Sequence, residues 1–360
     1  MPRLRKSTCA APGIARLRRG RGFEYRDPDG QRIDDPEVLQ RIAALTIPPA
    51  WREVWICMDP LGHLQATGVD AAGRKQYLYH EHWRRHRDRA KFDSMLAFGR
   101  ALPRLRRRVA RDLARGHGPA PARGLPVSAL TRQRVLACAV RLLDVGFFRI
   151  GSEDYAERNE SYGLTTMLRE HVTITDHQLV FDFPAKSGRR RVQEIADEDA
   201  LAVVAALARR RSGAQLLAYR TPEGWAECHA EEVNAYIKQH AGEEFTAKDF
   251  RTWNATVLAA VALAAAPARH SHGARERAVR TAVKTVAAYL GNTPAVCRAS
   301  YVDPRVIDRY QAGVTIAGAL ARDTADGPDL ADARVRARVE AAVLELLADA
   351  SPSARAGRLV

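Results

Sequence analysis

The stretch VTITDHQLVFDFPAKSGRRRVQE (Val172–Glu194) is a short β-rich run inside a region that is otherwise helical. Val172–Ile174, Gln178–Phe183 and Arg190–Glu194 read as strands, and the turn between the last two holds Pro184-Ala185-Lys186-Ser187-Gly188. On either side apolar residues recur at helical spacing. Leu96–Leu113 and Val127–Val145 precede the run; Ala200–Arg210, Ala230–His240, Thr246–Ala265, Arg275–Leu290 and Arg334–Leu347 follow it. Near the N-terminus the pattern is different. Trp51–Met58, His63–Gly68 and Gln76–Tyr79 read as strands, and Pro36–Leu45 as a helix stopped by Pro48 and Pro49. The expected fold class is therefore α+β: a small β-rich N-terminal domain, then a mostly helical domain with a small sheet and hairpin. The expected organisation is a basic flexible arm over 1–21, the α+β domain over 22–88, the helical domain over 89–320, and a C-terminal helix with a frayed tail over 321–360.

With 360 residues, 46% hydrophobic and 28% charged, the chain has the composition of a folded two-domain protein. The charge is less ordinary: 57 Lys and Arg against 42 Asp and Glu give +15. Such an excess favours polyanions through phosphate attraction and counterion release, although an acidic membrane surface would satisfy it too. No apolar run approaches the roughly 20 residues that span a bilayer. Arg3, Arg5, Lys6, Arg16, Arg18, Arg19 and Arg21 make the first residues basic, with no apolar core of a secretory signal among them. The five cysteines are scattered and form no CxxC pair, which suits free thiols in a reducing compartment.

Two motifs fail on inspection. Gly68 to Lys75 has the glycine spacing of a phosphate-cradling loop, but Arg74 stands where the Lys belongs and Gln76 where a hydroxyl must follow, so no nucleotide site is expected. His80, His82 and His86 sit among Arg84, Arg85, Arg87 and Arg89, whose charges repel a dication; a basic phosphate-facing or solvated helix is the better reading. Asp197, Glu198 and Asp199 lie at an expected helix start, where negative charge suits the dipole.

A third, ordered set of motifs survives. Phe148-Arg149-Ile150-Gly151 leads through Tyr155 to Asn159-Glu160-Ser161-Tyr162-Gly163-Leu164-Thr165-Thr166. The hairpin turn with Lys186 comes next. Thr246-Ala247-Lys248-Asp249-Phe250-Arg251-Thr252-Trp253 follows, with Leu290-Gly291-Asn292-Thr293-Pro294 and Ser300-Tyr301 downstream. Taken singly, Arg149 could cap a helix, Arg251 could pair on the surface, and Tyr301 or its neighbour Tyr310 could be a half-buried core tyrosine. The order of the set gives it weight.

Over residues 22–315 the sequence resembles the type IB DNA topoisomerases of the compact poxvirus-like and bacterial kind. The resemblance implies that Tyr301 is a nucleophile forming a 3′-phosphotyrosine bond, that Arg149 and Arg251 are the two catalytic arginines, and that Lys186 is the hairpin lysine. Asn292 stands where the family often has His. The chemistry fits these residue types. A phenol with a free pKa of about 10 needs positive surroundings. Two arginines offer planar donors to nonbridging oxygens. A lysine can protonate the departing 5′-oxygen, and an amide N–H can serve the phosphate as a neutral donor. An Asn cannot shuttle protons, so any acid–base role at position 292 is excluded; His270 and His272 are not taken as substitutes. Arg74, Lys75, Gln76, Tyr77 and Tyr79 resemble the family's groove-reading strand, on which Gln76 and Leu78 face one way and Tyr77 and Tyr79 the other. Tyr155, Lys248 and Arg298 are further expected phosphate contacts. The implied partner is supercoiled duplex DNA, clamped and relaxed by a monomer, with no nucleotide, metal, other cofactor or membrane, in the cytoplasm at the bacterial nucleoid. A tyrosine recombinase and a noncatalytic DNA-binding protein on the same fold are the rivals; the β-rich first domain argues against the first, and the complete set of Arg, Lys and Tyr against the second.

Overall fold

The computed structural model describes residues 3–114, 125–175, 177–186, 188–266, 271–321 and 328–348. The chain forms two compact units, one through Asp93 and one from Ser94.

The first unit is a five-stranded antiparallel sheet with one helix. Its elements are β1 (Ile14–Arg19), β2 (Gly22–Arg26), α1 (Pro36–Ala44), β3 (Arg52–Ile56), β4 (Leu64–Val69) and β5 (Lys75–Tyr79), in the sheet order β2-β1-β3-β4-β5. Asp35 starts α1 by accepting from the Glu37 N–H at 2.8 Å, with Pro36 supplying the preset first turn. Ile14, Ile42, Val54, Ile56 and Ala66 form the core, covered by Val38, Trp51 and Leu78.

The arm expected over residues 1–21 is in part a strand. Within it, β1 pairs with both β2 and β3. Arg16, one of the cations that made the segment look solvated, is 9% exposed. Its guanidinium donates to the carbonyls of Ile47, Pro48 and Trp51 at 3.2, 3.0 and 2.8 Å and lies 4.2 Å from the Phe23 ring centre. Charge counting cannot find such a residue, because the partners that make burial tolerable lie about thirty positions away.

A 34-residue helix, α2 (Glu81–Ala114), carries the chain from one unit into the other. The division between the units falls at 93/94, inside this helix, against the expected 88.

The second unit is helical around a three-stranded antiparallel sheet. In chain order it contains α3 (Arg132–Gly146), α4 (Glu153–Asn159), β6 (Val172–Ile174), β7 (Leu179–Ala185), β8 (Arg189–Ile195) and α5 (Glu198–Ala208). A small hairpin of β9 (Ala218–Thr221) and β10 (Gly224–Glu227) precedes α6 (Ala230–Ala241), α7 (Ala247–Ala264) and α8 (His272–Leu290). Last come α9 (Pro294–Ser300), α10 (Pro304–Gln311), α11 (Ala317–Leu320) and α12 (Ala333–Ala348). The fold class is α+β. Trp253 on α7 is fully buried, and Gly99 lets it approach α2: a Cβ there would stand 2.7 Å from the indole.

The C-terminal helix is part of this core and not a separate tail element. Glu340 on α12 is 5% exposed and accepts from Trp253 Nε1 at 3.1 Å and from Arg106 at 2.6 and 2.8 Å. Arg336 and Arg106 both bond Asp144 near the end of α3, at 2.5 and 2.9 Å. α12 also buries Val339, Val343, Leu346 and Leu347, so the apolar spacing that marked Arg334–Leu347 as a helix reports one part of its docking and the polar contacts another. The frayed tail expected over the last ten residues lies outside the described residues.

Candidate active site

The segment after α3 places Arg149. Phe147 closes the helix in the left-handed conformation (φ 55°), Phe148 is buried, and the chain then runs beside residues 163–165. Leu164 N–H donates to the Arg149 carbonyl and Thr165 N–H to that of Ile150, both at 2.8 Å. Two glycines permit this contact: a Cβ on Gly163 would lie 2.4 Å from Gly151 Cα, and Gly151 has φ +103°. The Gly151 to Thr166 motif is thus the brace that holds Arg149.

That brace continues to the hairpin. Tyr162 N–H donates to the Pro184 carbonyl at 2.8 Å, and the Ser161 hydroxyl to that of Ala185 at 3.2 Å. β7 and β8 pair up to Ala185 opposite Arg189, which leaves three residues in the loop; Gly188 supplies the positive φ (68°) such a loop requires. Lys186 is exposed at its tip.

Arg251 comes from α7, whose start is a reciprocal cap between Thr246 and Asp249. It is 3% exposed; Nη1 donates to the Phe147 carbonyl and Nη2 to the Leu290 carbonyl at 2.9 Å. Tyr301 ends α9 and is 9% exposed. Its backbone is held by the buried Thr256, whose hydroxyl lies 3.2 Å from the Tyr301 carbonyl and accepts from Asp303 N–H at 3.2 Å. The Arg251 guanidinium carbon stands 5.3 Å from the centre of the Tyr301 ring.

These side chains meet in a cavity of about 300 Å³ lined by Arg149, Lys186, Lys248, Arg251 and Tyr301, with Gly151 and Gly163 in its wall. None of the described residues lining it is acidic. The consequences show in the electrostatics. Burial pushes the Tyr301 phenol up, but charge and hydrogen bonding from Arg251 and Arg149 outweigh burial and leave it below the usual tyrosine value. Burial, with repulsion from Arg149 and Arg191, brings Arg251 down to about 10. These cations, in a cavity with no acidic residue among its described lining and beside a helix N-terminus (Ala247 and Lys248), make a receptor for a tetrahedral anion.

Asn292 lies beside this wall. Its Oδ1 accepts from Arg149 Nη2 at 2.5 Å, and its Nδ2 is buried without a partner among the described residues. Tyr310, the rival tyrosine, is 8% exposed on α10 and does not line the cavity. Arg298 is exposed on α9, also away from it. Tyr155 lies on α4, but its side chain is outside the described part, as is His270; His272 is exposed at the start of α8.

In the first unit, β5 alternates as expected. Tyr77 and Tyr79 are exposed and stacked at 6.2 Å, while Gln76 and Leu78 are half-buried. Gln76 Nε2 and Arg74 Nε both donate to Asp70 Oδ2, at 2.9 and 3.0 Å, so these two side chains are engaged within the protein. Lys75, Tyr77 and Tyr79 form the outward face.

The sequence reading missed Arg191. It lies on β8, its Nη1 donates to the Leu290 carbonyl at 3.0 Å, and it borders a neighbouring cleft with Arg149, Lys186 and Gly291. Its only signal was membership in the run Arg189-Arg190-Arg191, which does not distinguish it from two exposed neighbours.

Comparison with known proteins agrees with this geometry. Residues 80–319 match the family model described as eukaryotic DNA topoisomerase I, catalytic core. Residues 22–70 match the one described as bacterial DNA topoisomerase IB, N-terminal domain. The chain is 30% identical over 307 residues to DNA topoisomerase 1B of Acanthamoeba polyphaga mimivirus, covering 83% of this chain and 88% of that protein. The chain belongs to the type IB DNA topoisomerase family.

Proposed function

We propose that this enzyme relaxes supercoiled DNA by nicking one strand through Tyr301 and resealing it. The Tyr301 oxygen attacks a backbone phosphorus and gives up its proton to solvent. A 3′-phosphotyrosine bond forms as the P–O5′ bond breaks, and the departing 5′-oxygen takes a proton from Lys186. Arg149 and Arg251 hold the nonbridging oxygens as negative charge accumulates, and Asn292 Nδ2 donates to the same group. One phosphodiester replaces another, so resealing is the reverse reaction and needs neither nucleotide hydrolysis nor a metal. The free end rotates before the 5′-hydroxyl returns. Lys75, Tyr77 and Tyr79 on β5 and Lys248 on α7 contact the duplex, Arg298 and Tyr155 the flanking phosphates. Arg74 and Gln76 reach the duplex by exchanging Asp70 for it. All five reacting groups come from one chain, so a monomer suffices.

The observation that carries this reading is a buried phenol that shares a cavity with Arg149, Arg251 and Lys186, with no carboxylate among the described lining residues. The test is formation of an SDS-stable protein–DNA adduct, with plasmid relaxation measured in EDTA without ATP. Wild type is expected to form the adduct and relax the plasmid; Tyr301→Phe is expected to do neither. An adduct surviving in Tyr301→Phe overturns the nucleophile assignment, and a wild type that binds but never forms one makes this a DNA-binding protein only.

A further inference from the structure

Helix α8 ends in a Schellman turn. Asn292 N–H returns to the Ala287 carbonyl at 2.9 Å and Gly291 N–H to that of Ala288 at 3.1 Å, with Gly291 in the left-handed conformation (φ 62°). This leaves the carbonyls of Tyr289 and Leu290 without helical partners. Two arginines take them. Arg251 reaches Leu290, and Arg191 reaches both, Nη1 to Leu290 at 3.0 Å and Nη2 to Tyr289 at 2.9 Å. The same Nη2 lies 2.9 Å from Gln193 Oε1 and 3.5 Å from the Gly146 carbonyl at the end of α3. Gly291 sits against this guanidinium: a Cβ there would come within 3.3 Å of Nη1. Arg251 spans the same two helix ends, from Phe147 to Leu290. Each helix end leads directly into a proposed reacting group. Arg149 follows α3, Asn292 follows α8, and the two meet at 2.5 Å.

We propose that Arg191 is a positioning residue for the transesterification: by strapping the last carbonyls of α8 to β8 and to the end of α3, it sets the Gly291–Asn292 turn so that Asn292 engages Arg149. The proposal rests on the reading of Tyr301, Arg149 and Asn292 given above. Both Nη groups of Arg191 are engaged by protein acceptors, so its action is assigned to the turn. The planar fork matters, since one ammonium cannot span two successive carbonyls and an amide oxygen at once. Helix C-termini carry partial negative charge, which explains how the cation is held there without a carboxylate.

The test is single-turnover cleavage of a duplex oligonucleotide, read as SDS-stable adduct, for wild type, Arg191→Met, Arg191→Lys, Asn292→Ala and Arg191→Met/Asn292→Ala. DNA affinity and thermal unfolding are measured alongside. Both Arg191 variants are expected to cleave about tenfold to a hundredfold more slowly with affinity unchanged, the scale on which misplacement of a reacting group is felt. The double variant is expected to be little slower than Asn292→Ala alone, because the two changes remove one function. A purely structural role would lower the melting temperature without that non-additivity. Full activity in Arg191→Lys, multiplicative losses in the double variant, or loss of the folded state in both Arg191 variants would overturn the proposal. A wild type without adduct would instead remove the Tyr301 reading, and this one with it.

Discussion

Arg149 Nη2 donates to Asn292 Oδ1 at 2.5 Å, and the Asn292 Nδ2 on the other side of that amide is left unpartnered among the described residues. An amide has both a donor and an acceptor, so one side chain can hold an arginine and still offer an N–H to an anion. A neutral imidazole offers the same pair on its two nitrogens. Asn292→Ala is accordingly expected to slow adduct formation about a hundredfold, the usual cost of losing one preorganised donor. Asn292→His is expected to recover most of that rate, and Asn292→Asp, which sets a negative charge facing the phosphate, to be slower than Asn292→Ala. Single-turnover cleavage on one duplex checks all three.

The cleavage rate should rise with pH and level off below the ordinary tyrosine value. The sign follows from the charges. The reactive phenolate is favoured by Arg251 and Arg149, which outweigh the opposing effect of burial. Removing Arg251 takes away the largest of the lowering influences, so the inflection is expected to move upward in Arg251→Met. A pH–rate profile of single-turnover cleavage for wild type and variant measures it; an unchanged inflection would separate the Arg251 charge from activation of Tyr301.

Gly163→Ala should damage the reaction without touching a reacting group. Its Cβ would lie 2.4 Å from Gly151 Cα and 2.9 Å from the Arg149 carbonyl, so the two segments must part. Overpacking of this kind costs about 1–3 kcal/mol. The expected outcome is a lowered urea midpoint together with slower adduct formation, because Arg149 rides on the displaced backbone.

Removing the Glu340 carboxylate should destabilise the second unit. In Glu340→Leu, Trp253 Nε1 loses its acceptor and Arg106 loses one of its two carboxylate partners, the other being Asp144. Breaking a buried pair from one side costs about 3 kcal/mol. Equilibrium urea unfolding followed by tryptophan fluorescence should show the loss, and the midpoint of Glu340→Gln should fall less.

Much of the architecture was legible because it rests on local rules. Alternation identified β5 and its outward tyrosines, the Lys186 hairpin announced itself through a Pro-to-Gly turn, and apolar periodicity marked α3, α7 and α8 to within a few residues. The acidic cluster Asp197-Glu198-Asp199 marked a helix start, and there Asp197 caps α5. What escaped depends on polar side chains whose partners lie far along the chain: strand β1 hid behind its arginines, and the bonds from Arg336 and Glu340 that tie α12 to Asp144 and Trp253 carry no local signal.

Residue type and order by themselves specified an α+β chain and an ordered set of motifs, whose resemblance to a family singled out one Tyr, two Arg and one Lys; the acidity of a phenol, the fork of a guanidinium and the turn chemistry of glycine belong to the residues themselves. Assembly belonged to the tertiary structure. It brought Arg149, Lys186, Arg251 and Tyr301 into one cavity whose lining does not include Tyr310, engaged Gln76 with Asp70, and set Arg191 apart from Arg189 and Arg190. The physical reason is that a charged side chain takes its character from what surrounds it. An arginine is solvated, paired or poised for phosphate according to which helix ends, carbonyls and cations the fold brings within a few ångströms.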